Sequence, residues 1–176
     1  MPTIKHVWLL LVHIAVYGGF ANWLGAPLNW FALTYAILLI WVSCTDFIIF
    51  EVPDSAVIAL IISGTGAHWW LGDPVFQFVL AAVVWGAGFW IVAILARRVL
   101  GENGLGLGDV KLMAGIAAWL GLAAPIYVVL CASVAGIAVI VLTQMRNKEA
   151  LSRKAVAFGP FLCLSAWVIW LSGAGV

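Results

Sequence analysis

The chain is a series of long apolar runs separated by short polar or turn-forming stretches. Runs of about 20 apolar residues are long enough to cross a bilayer as helices. Seven runs predict helices, and they cover residues 7–24, 29–45, 55–71, 75–96, 109–120, 125–145 and 155–171. The run at 109–120 is the shortest, and merging part of it with the next run gives six. The pattern predicts an all-α polytopic membrane protein with six to seven transmembrane helices.

Composition supports lipid as the surrounding solvent. Hydrophobic residues make up 66% of the chain and charged residues 9%, whereas a soluble domain has about 25% charged residues. No repeat, linker or low-complexity tail divides residues 1–176, so we expect a single domain. Basic residues form no stripe, which argues against nucleic-acid binding. The three cysteines are far apart and form no CxxC pair, so neither a zinc site nor a disulfide is predicted.

The basic residues predict an orientation in the membrane. Short loops rich in Lys and Arg face the cytoplasm. With the N-terminus inside, all eight basic residues fall in inside segments, and the outside loops near 25–29, 72–74 and 121–125 contain none. This orientation places Asp46, Asp54 and Asp109 on the cytoplasmic side. An alternative, in which the first run is a cleaved signal peptide, fits the charge distribution less well.

Two carboxylates at the edges of apolar runs are the candidate chemistry. Asp46 ends the second run, and Asp109 follows a glycine-rich stretch at 104–108. An ionisable group at membrane depth is costly and indicates a function. Two adjacent Asp residues can share one proton, so that one activates water while the other polarises a carbonyl. The flanking Gly106 and Gly108 would allow an extended peptide to approach Asp109 closely.

Other chemistries have weaker support in the sequence. The Gly-x-Gly repeat has no βαβ context for a nucleotide, and the serines and histidines match no hydrolase or zinc motif. A hard cation held by four acidic residues remains an alternative, because oxygen ligands suit such ions. The members of that set are Asp46, Glu51, Asp54 and Asp109. The favoured prediction has no metal and no cofactor.

Three motifs resemble those of the type IV prepilin peptidases, a family of membrane GxGD aspartic peptidases. Their order and spacing match over about residues 30–170. In chain order, the motifs are an Asp followed after six residues by Pro and Asp (Asp46, Pro53, Asp54), a GxGD segment with a trailing Lys (Gly106, Gly108, Asp109, Lys111), and a Phe-Gly-Pro element (Phe158, Gly159, Pro160).

The resemblance implies a GxGD aspartic protease fold with Asp46 and Asp109 as the catalytic pair. It also implies the substrate, a prepilin or pseudopilin with a short basic leader. Cleavage would occur at the cytoplasmic face of the inner membrane, after a small residue and before a hydrophobic helix. Pilus or secretion assembly components are further candidate partners.

The chain also departs from the larger members of that family. It carries no N-terminal extension with paired cysteines, so we expect no N-methyltransferase activity, and its compact form is most similar to the tight-adherence (Flp pilus) type. Asp46 is followed by Phe-Ile-Ile-Phe, where basic residues are common in the family. Ala157 replaces the usual Pro before Phe-Gly-Pro. Glu51 is interpreted as a solvated loop charge rather than a contact for a basic leader.

Supporting roles for the remaining motif residues are open. Lys111 either stays near the catalytic pair, where it favours an ionised Asp, or anchors the cytoplasmic face. Asp54 is predicted to cap the next helix rather than to act in catalysis, since Asp is favoured at helix N-termini. Pro53 suits the boundary of that helix. Gly159 and Pro160 either break the last helix near the site or form a tolerated kink.

Rival functions leave more of the sequence unexplained. Presenilin-type proteases share the Gly-Leu-Gly-Asp string, but they pair it with Tyr-Asp and Pro-Ala-Leu; this chain has Thr45 before Asp46 and no Pro-Ala-Leu. A proton- or ion-coupled transporter could use the same carboxylates as relays. Its hallmarks are inverted repeats and midplane sites, which are not seen in the sequence. A non-catalytic scaffold would leave both acidic residues without a role.

Overall fold

The computed structural model describes residues 4–25, 29–100, 106–146 and 157–174. Every regular element in these ranges is helical, which confirms the predicted all-α class. A π-helical turn at Trp170–Ala174 follows the last α-helix. The seven helices are α1 (Ile4–Trp23), α2 (Trp30–Ile49), α3 (Asp54–Leu71), α4 (Val75–Leu100), α5 (Leu107–Leu120), α6 (Pro125–Arg146) and α7 (Gly159–Ile169).

Each predicted run overlaps one observed helix, with differences at the ends. The fifth and sixth runs are separate helices, so the merged alternative is wrong. α2 continues to Ile49, and Asp46 therefore lies inside its last turn rather than at its end. α7 begins at Gly159 instead of 155, and residues 155 and 156 lie outside the described residues.

Glycines end two of the helices in the way the sequence suggested. Gly72 follows α3 with φ 81°, and Gly121 follows α5 with φ 72°. Glycine adopts positive φ without the steric penalty that other residues incur, so it commonly ends helices. The breaks between α3 and α4 and between α5 and α6 are thus encoded locally.

Three helical segments are long and apolar enough to cross a membrane: Trp30–Ile49, Val75–Val99 and Pro125–Thr143. Val7–Trp23 and Gly159–Gly173 are shorter apolar helices. α5 is different, because its 14 residues extend only about 21 Å, less than the roughly 30 Å of a bilayer core. Most of its side chains are buried, and it packs most extensively against α4 and α3. α5 is therefore an internal helix of the bundle.

Glycines allow α3 and α5 to approach closely. A Cβ atom added to Gly115 would lie 3.0 Å from the Cβ of Leu60, and one added to Gly64 would lie 2.8 Å from the carbonyl oxygen of Ala118. Small residues at such contacts let helix backbones pack tightly. The indole of Trp119 at the end of α5 stacks on Tyr35 of α2, with ring centroids 4.7 Å apart. This packing fixes α5 relative to both neighbouring helices.

A polar cluster joins α3 to α5 at the C-terminal end of both helices. His68 is buried in the last turn of α3, and its ring lies between two oxygen acceptors. Nδ1 is 2.9 Å from Oδ2 of Asp73, and Nε2 is 3.0 Å from the carbonyl oxygen of Trp119. These contacts join the C-terminal parts of the two helices and fix the register of α5 against α3.

Candidate functional site

The carboxyl group of Asp46 is buried against the start of α7. Asp46 is only 6% exposed, and the backbone N–H of Gly159 donates a hydrogen bond of 3.0 Å to its Oδ2 atom. The N-terminal end of a helix carries unpaired N–H groups and a partial positive charge, both of which favour a carboxylate. Asp46 and Gly159 are 113 residues apart in the sequence, so this hydrogen bond joins α2 to the start of α7.

Gly159 has to lack a side chain for this contact to exist. A Cβ atom at this position would lie 2.6 Å from Oδ2 of Asp46 and 2.9 Å from its Cγ. Pro160 follows in the first turn of α7, where its missing N–H costs no hydrogen bond. Gly159 and Pro160 therefore begin α7 at the site, and the kink interpretation is wrong.

Asp109 lies in the first turn of α5, the internal helix. The helix is preceded by Gly106 in an extended conformation, with φ −67° and ψ 141°. The carboxyl groups of Asp109 and Asp46 are close enough to interact electrostatically, and both lie near the buried thiol of Cys163 in α7. Two acidic side chains that are 63 residues apart in the sequence thus lie at the same end of the bundle.

Gly108 makes room for the loop that follows Asp46. A Cβ atom added to Gly108 would lie 3.0 Å from Cγ2 of Val52, and Val52 is itself buried. From the sequence, we expected the space beside Gly108 to admit an extended substrate. In the structure the chain's own loop fills it, and the contact holds the segment after Asp46 against the segment before Asp109.

An ion pair joins the same two segments at the surface. The Nζ atom of Lys111 donates to Oδ1 of Asp54 at 2.5 Å, with side chains 46% and 70% exposed. Pro53 precedes the first residue of α3, as predicted, but it is also the N-cap residue, and no side chain caps the helix. The predicted capping role of Asp54 is therefore wrong, because its carboxylate accepts from Lys111 instead.

Phe50 has an unusual backbone conformation directly after α2. Its φ and ψ are 57° and 33°, and it is the only non-glycine residue with positive φ in the part of the chain that the structure describes. Its N–H bonds to the carbonyl oxygen of Asp46 at 3.0 Å, which ends the helix four residues beyond that acidic side chain. A phenylalanine gives no sequence signal for this conformation, which was therefore not predicted.

The four acidic residues considered for a cation do not assemble into a metal site. Within the described ranges no group of three or more His, Cys, Asp and Glu side chains is arranged to hold a metal ion. The three cysteines are unpaired. The side chains at this end of the bundle offer the chemistry of two interacting carboxyl groups, with the backbone N–H of Gly159 donating to Asp46.

Comparison with known proteins identifies relatives of this chain. The model of the type IV leader peptidase family matches residues 32–141, a range that includes Asp46 and Asp109. Three proteins named prepilin leader peptidase/N-methyltransferase are similar to the chain. The protein of Stutzerimonas stutzeri is 33% identical over 94% of this chain and 55% of its own length. That of Pseudomonas aeruginosa is 31% identical with the same coverage.

The third relative, from Burkholderia pseudomallei, is 36% identical over 78% of this chain and 44% of its own length. The chain therefore spans about half the length of the curated relatives that it matches. No solved structure matches the chain.

Proposed function

Because the chain belongs to the type IV leader peptidase family, we propose that it is a membrane aspartic endopeptidase that removes the leader from prepilin-like precursors. Asp46 and Asp109 are the proposed catalytic pair. The observation that carries the proposal is that these two carboxyl groups lie at the same end of the bundle, close enough to interact electrostatically. The N–H of Gly159, which donates to Asp46, supports the same assignment.

The proposed reaction is hydrolysis of the peptide bond by an activated water. The two acidic residues share one proton, and the ionised carboxylate removes a proton from water as its oxygen attacks the scissile carbonyl carbon. The protonated carboxyl donates to the carbonyl oxygen. Collapse of the tetrahedral intermediate, with a proton delivered to the amide nitrogen, breaks the carbon–nitrogen bond. The pair acts as one unit, so neither role belongs to one residue.

The other motif residues shape the site in this proposal. Gly108 admits Val52, while Asp54 and Lys111 tie the start of α3 to α5. Gly106 precedes α5 as its N-cap residue, so that Asp109 falls in the first turn of the helix. These contacts fix how far apart the catalytic carboxyl groups lie, and displacement of such groups by even about 1 Å can cost a large part of the rate.

The proposed setting is the inner membrane, with residues 1–176 as one GxGD peptidase domain of six to seven transmembrane helices. The distribution of basic residues supports a cytoplasmic site. The substrate class is a prepilin or pseudopilin whose short basic leader precedes an apolar helix. Such a substrate must be locally extended to expose its scissile carbonyl, because a helix occupies its carbonyls in hydrogen bonds.

The test is processing of a pilin precursor in cells. The precursor is co-expressed with the wild-type chain, with Asp46→Asn or with Asp109→Asn, and its mass is followed. We expect the leader to be lost only with the wild type. Asp73→Asn is the matched control, because Asp73 lies beside His68 at the other end of α5, and we expect it to process normally. Processing that survives either site substitution contradicts the catalytic pair.

A further inference from the structure

Phe50 combines a strained backbone with an exposed aromatic side chain beside the proposed active site. A non-glycine residue in the left-handed region is uncommon, and for a bulky residue it is an outlier that persists only where something else favours it. Asn or Gly is the ordinary choice at this helix end. The side chain is 57% exposed, so packing within the chain offsets only part of the strain.

The surroundings of Phe50 are apolar on one side and acidic on the other. Phe47 and Ile49, in the last turn of α2, are also more than half exposed, and the next residue, Glu51, is exposed as well. An apolar surface that ends in a carboxylate is complementary to a peptide in which a basic stretch is followed by an apolar one. Phe50 lies between this apolar surface and the carboxylate of Glu51, one helical turn beyond Asp46.

We propose that Phe50 is a specificity-determining residue that contacts the apolar segment of the precursor on the carboxyl side of the scissile bond. The inference rests on the proposed peptidase function and adds which part of the substrate Phe50 contacts. The hydrogen bond from the N–H of Phe50 to the carbonyl oxygen of Asp46 holds the residue at the end of α2.

The experiment compares binding and turnover for variants that remove the ring. Phe50→Gly and Phe50→Asn both tolerate the left-handed conformation, so neither depends on a strained replacement. The probe is a synthetic precursor with a basic leader, a small residue and an apolar helix, assayed with purified protein in lipid nanodiscs. Phe50→Tyr keeps the ring and is the conservative variant. Phe76→Ala is the matched control, because it removes an even more exposed ring from the start of α4.

We expect KM to rise about tenfold in Phe50→Gly and Phe50→Asn, since burial of about half a phenylalanine side chain changes affinity by that order. We expect kcat to change less than KM, and the unfolding temperature to stay constant or rise, because glycine removes the strain. Phe50→Tyr and Phe76→Ala should match the wild type. A residue with only a structural role would instead lower the unfolding temperature together with activity.

Failure of this inference and failure of the proposed function give different results. If the wild type cleaves the precursor and both Phe50 variants retain its KM, the ring does not read the substrate and the inference is overturned, while the peptidase stands. A fall in kcat and unfolding temperature at unchanged KM also overturns it. If the wild type leaves the precursor intact, the peptidase function and the inference fail together.

Discussion

Replacement of Gly159 by alanine is the sharpest test of how the site is held. The added methyl carbon would lie 2.6 Å from Oδ2 of Asp46, where ordinary contacts begin at 3.4 Å. Asp46 is buried and cannot retreat without moving α2 or α7. The 3.0 Å hydrogen bond from the Gly159 N–H must therefore lengthen or break, and the carboxyl group must move by a large part of an ångström.

The expected loss follows from that displacement. A hydrogen bond to a charged group contributes about 1.5–3 kcal/mol, and misplacement of a reacting group by about 1 Å can lower the rate about 10²-fold. We expect Gly159→Ala to cleave a precursor about 10²-fold more slowly than the wild type, and overpacking to lower stability by about 1–3 kcal/mol. The measurements are the initial rate of leader removal by mass spectrometry and thermal unfolding in detergent.

Gly136→Ala is the matched control for this test. Gly136 lies in α6 and faces the same end of α7, but a Cβ atom there would meet its nearest neighbours, ring carbons of Phe158, at an ordinary 3.9 Å. We expect this variant to cleave at the wild-type rate. A folded Gly159→Ala protein with the wild-type rate would show that the placement of Asp46 does not depend on α7, and would refute the reasoning.

The remaining predictions concern the scaffold and the surface of the site. Gly64→Ala should lower stability by about 1–3 kcal/mol, because the added methyl group would meet the backbone of α5. Gly66→Ala is the control and should be neutral or stabilising, because a Cβ atom there has nothing within 4 Å. Equal unfolding temperatures for the two variants would contradict the close packing of α3 on α5. A double-mutant cycle of Asp54→Asn and Lys111→Gln should give a coupling of about 0.2–1 kcal/mol, since both side chains are largely exposed; a coupling of several kcal/mol would contradict a solvent-screened pair. Glu51 was expected from the sequence to be a solvated loop charge, and it is exposed directly after Phe50. If it contacts a basic leader, Glu51→Gln should raise KM for such a precursor at low salt and not at high salt; an unchanged or salt-independent KM would support the solvated charge instead.

The helices were predictable from the sequence because their boundaries are encoded locally. Apolar runs end at glycines that adopt positive φ, as at Gly72 and Gly121, and Pro53 precedes α3 as expected. The short run at 109–120 was correctly predicted to be a separate helix. Its internal position depends on contacts with α3 and α4, which hydropathy does not report, because buried and lipid-facing helices are both apolar.

Parts of the site were not predictable for a related reason. The role expected for Asp54 followed a local rule for helix caps, but its carboxylate instead pairs with Lys111, 57 residues later. The strained backbone of Phe50 has no signature in the residue type. The sequence singled out Gly108 for its lack of a side chain, yet only the tertiary structure shows that Val52 occupies the space.

Both acidic side chains lie in an apolar bundle beside the start of a helix. Each would be costly in an apolar bundle without compensation, and each lies near the N-terminus of a helix. Asp109 is in the first turn of α5, and Asp46 accepts from the first residue of α7. Only the start of α7 requires a glycine on steric grounds, because a Cβ atom at Gly159 would lie 2.6 Å from Oδ2 of Asp46, whereas one at Gly106 would meet Oδ2 of Asp109 at an ordinary 3.4 Å. The Gly-x-Gly-Asp and Phe-Gly-Pro motifs thus each place a carboxylate beside the start of a helix, and at the start of α7 a backbone N–H donates to it. A substitution that fills the start of α7 should therefore displace Asp46 and impair the pair as a unit.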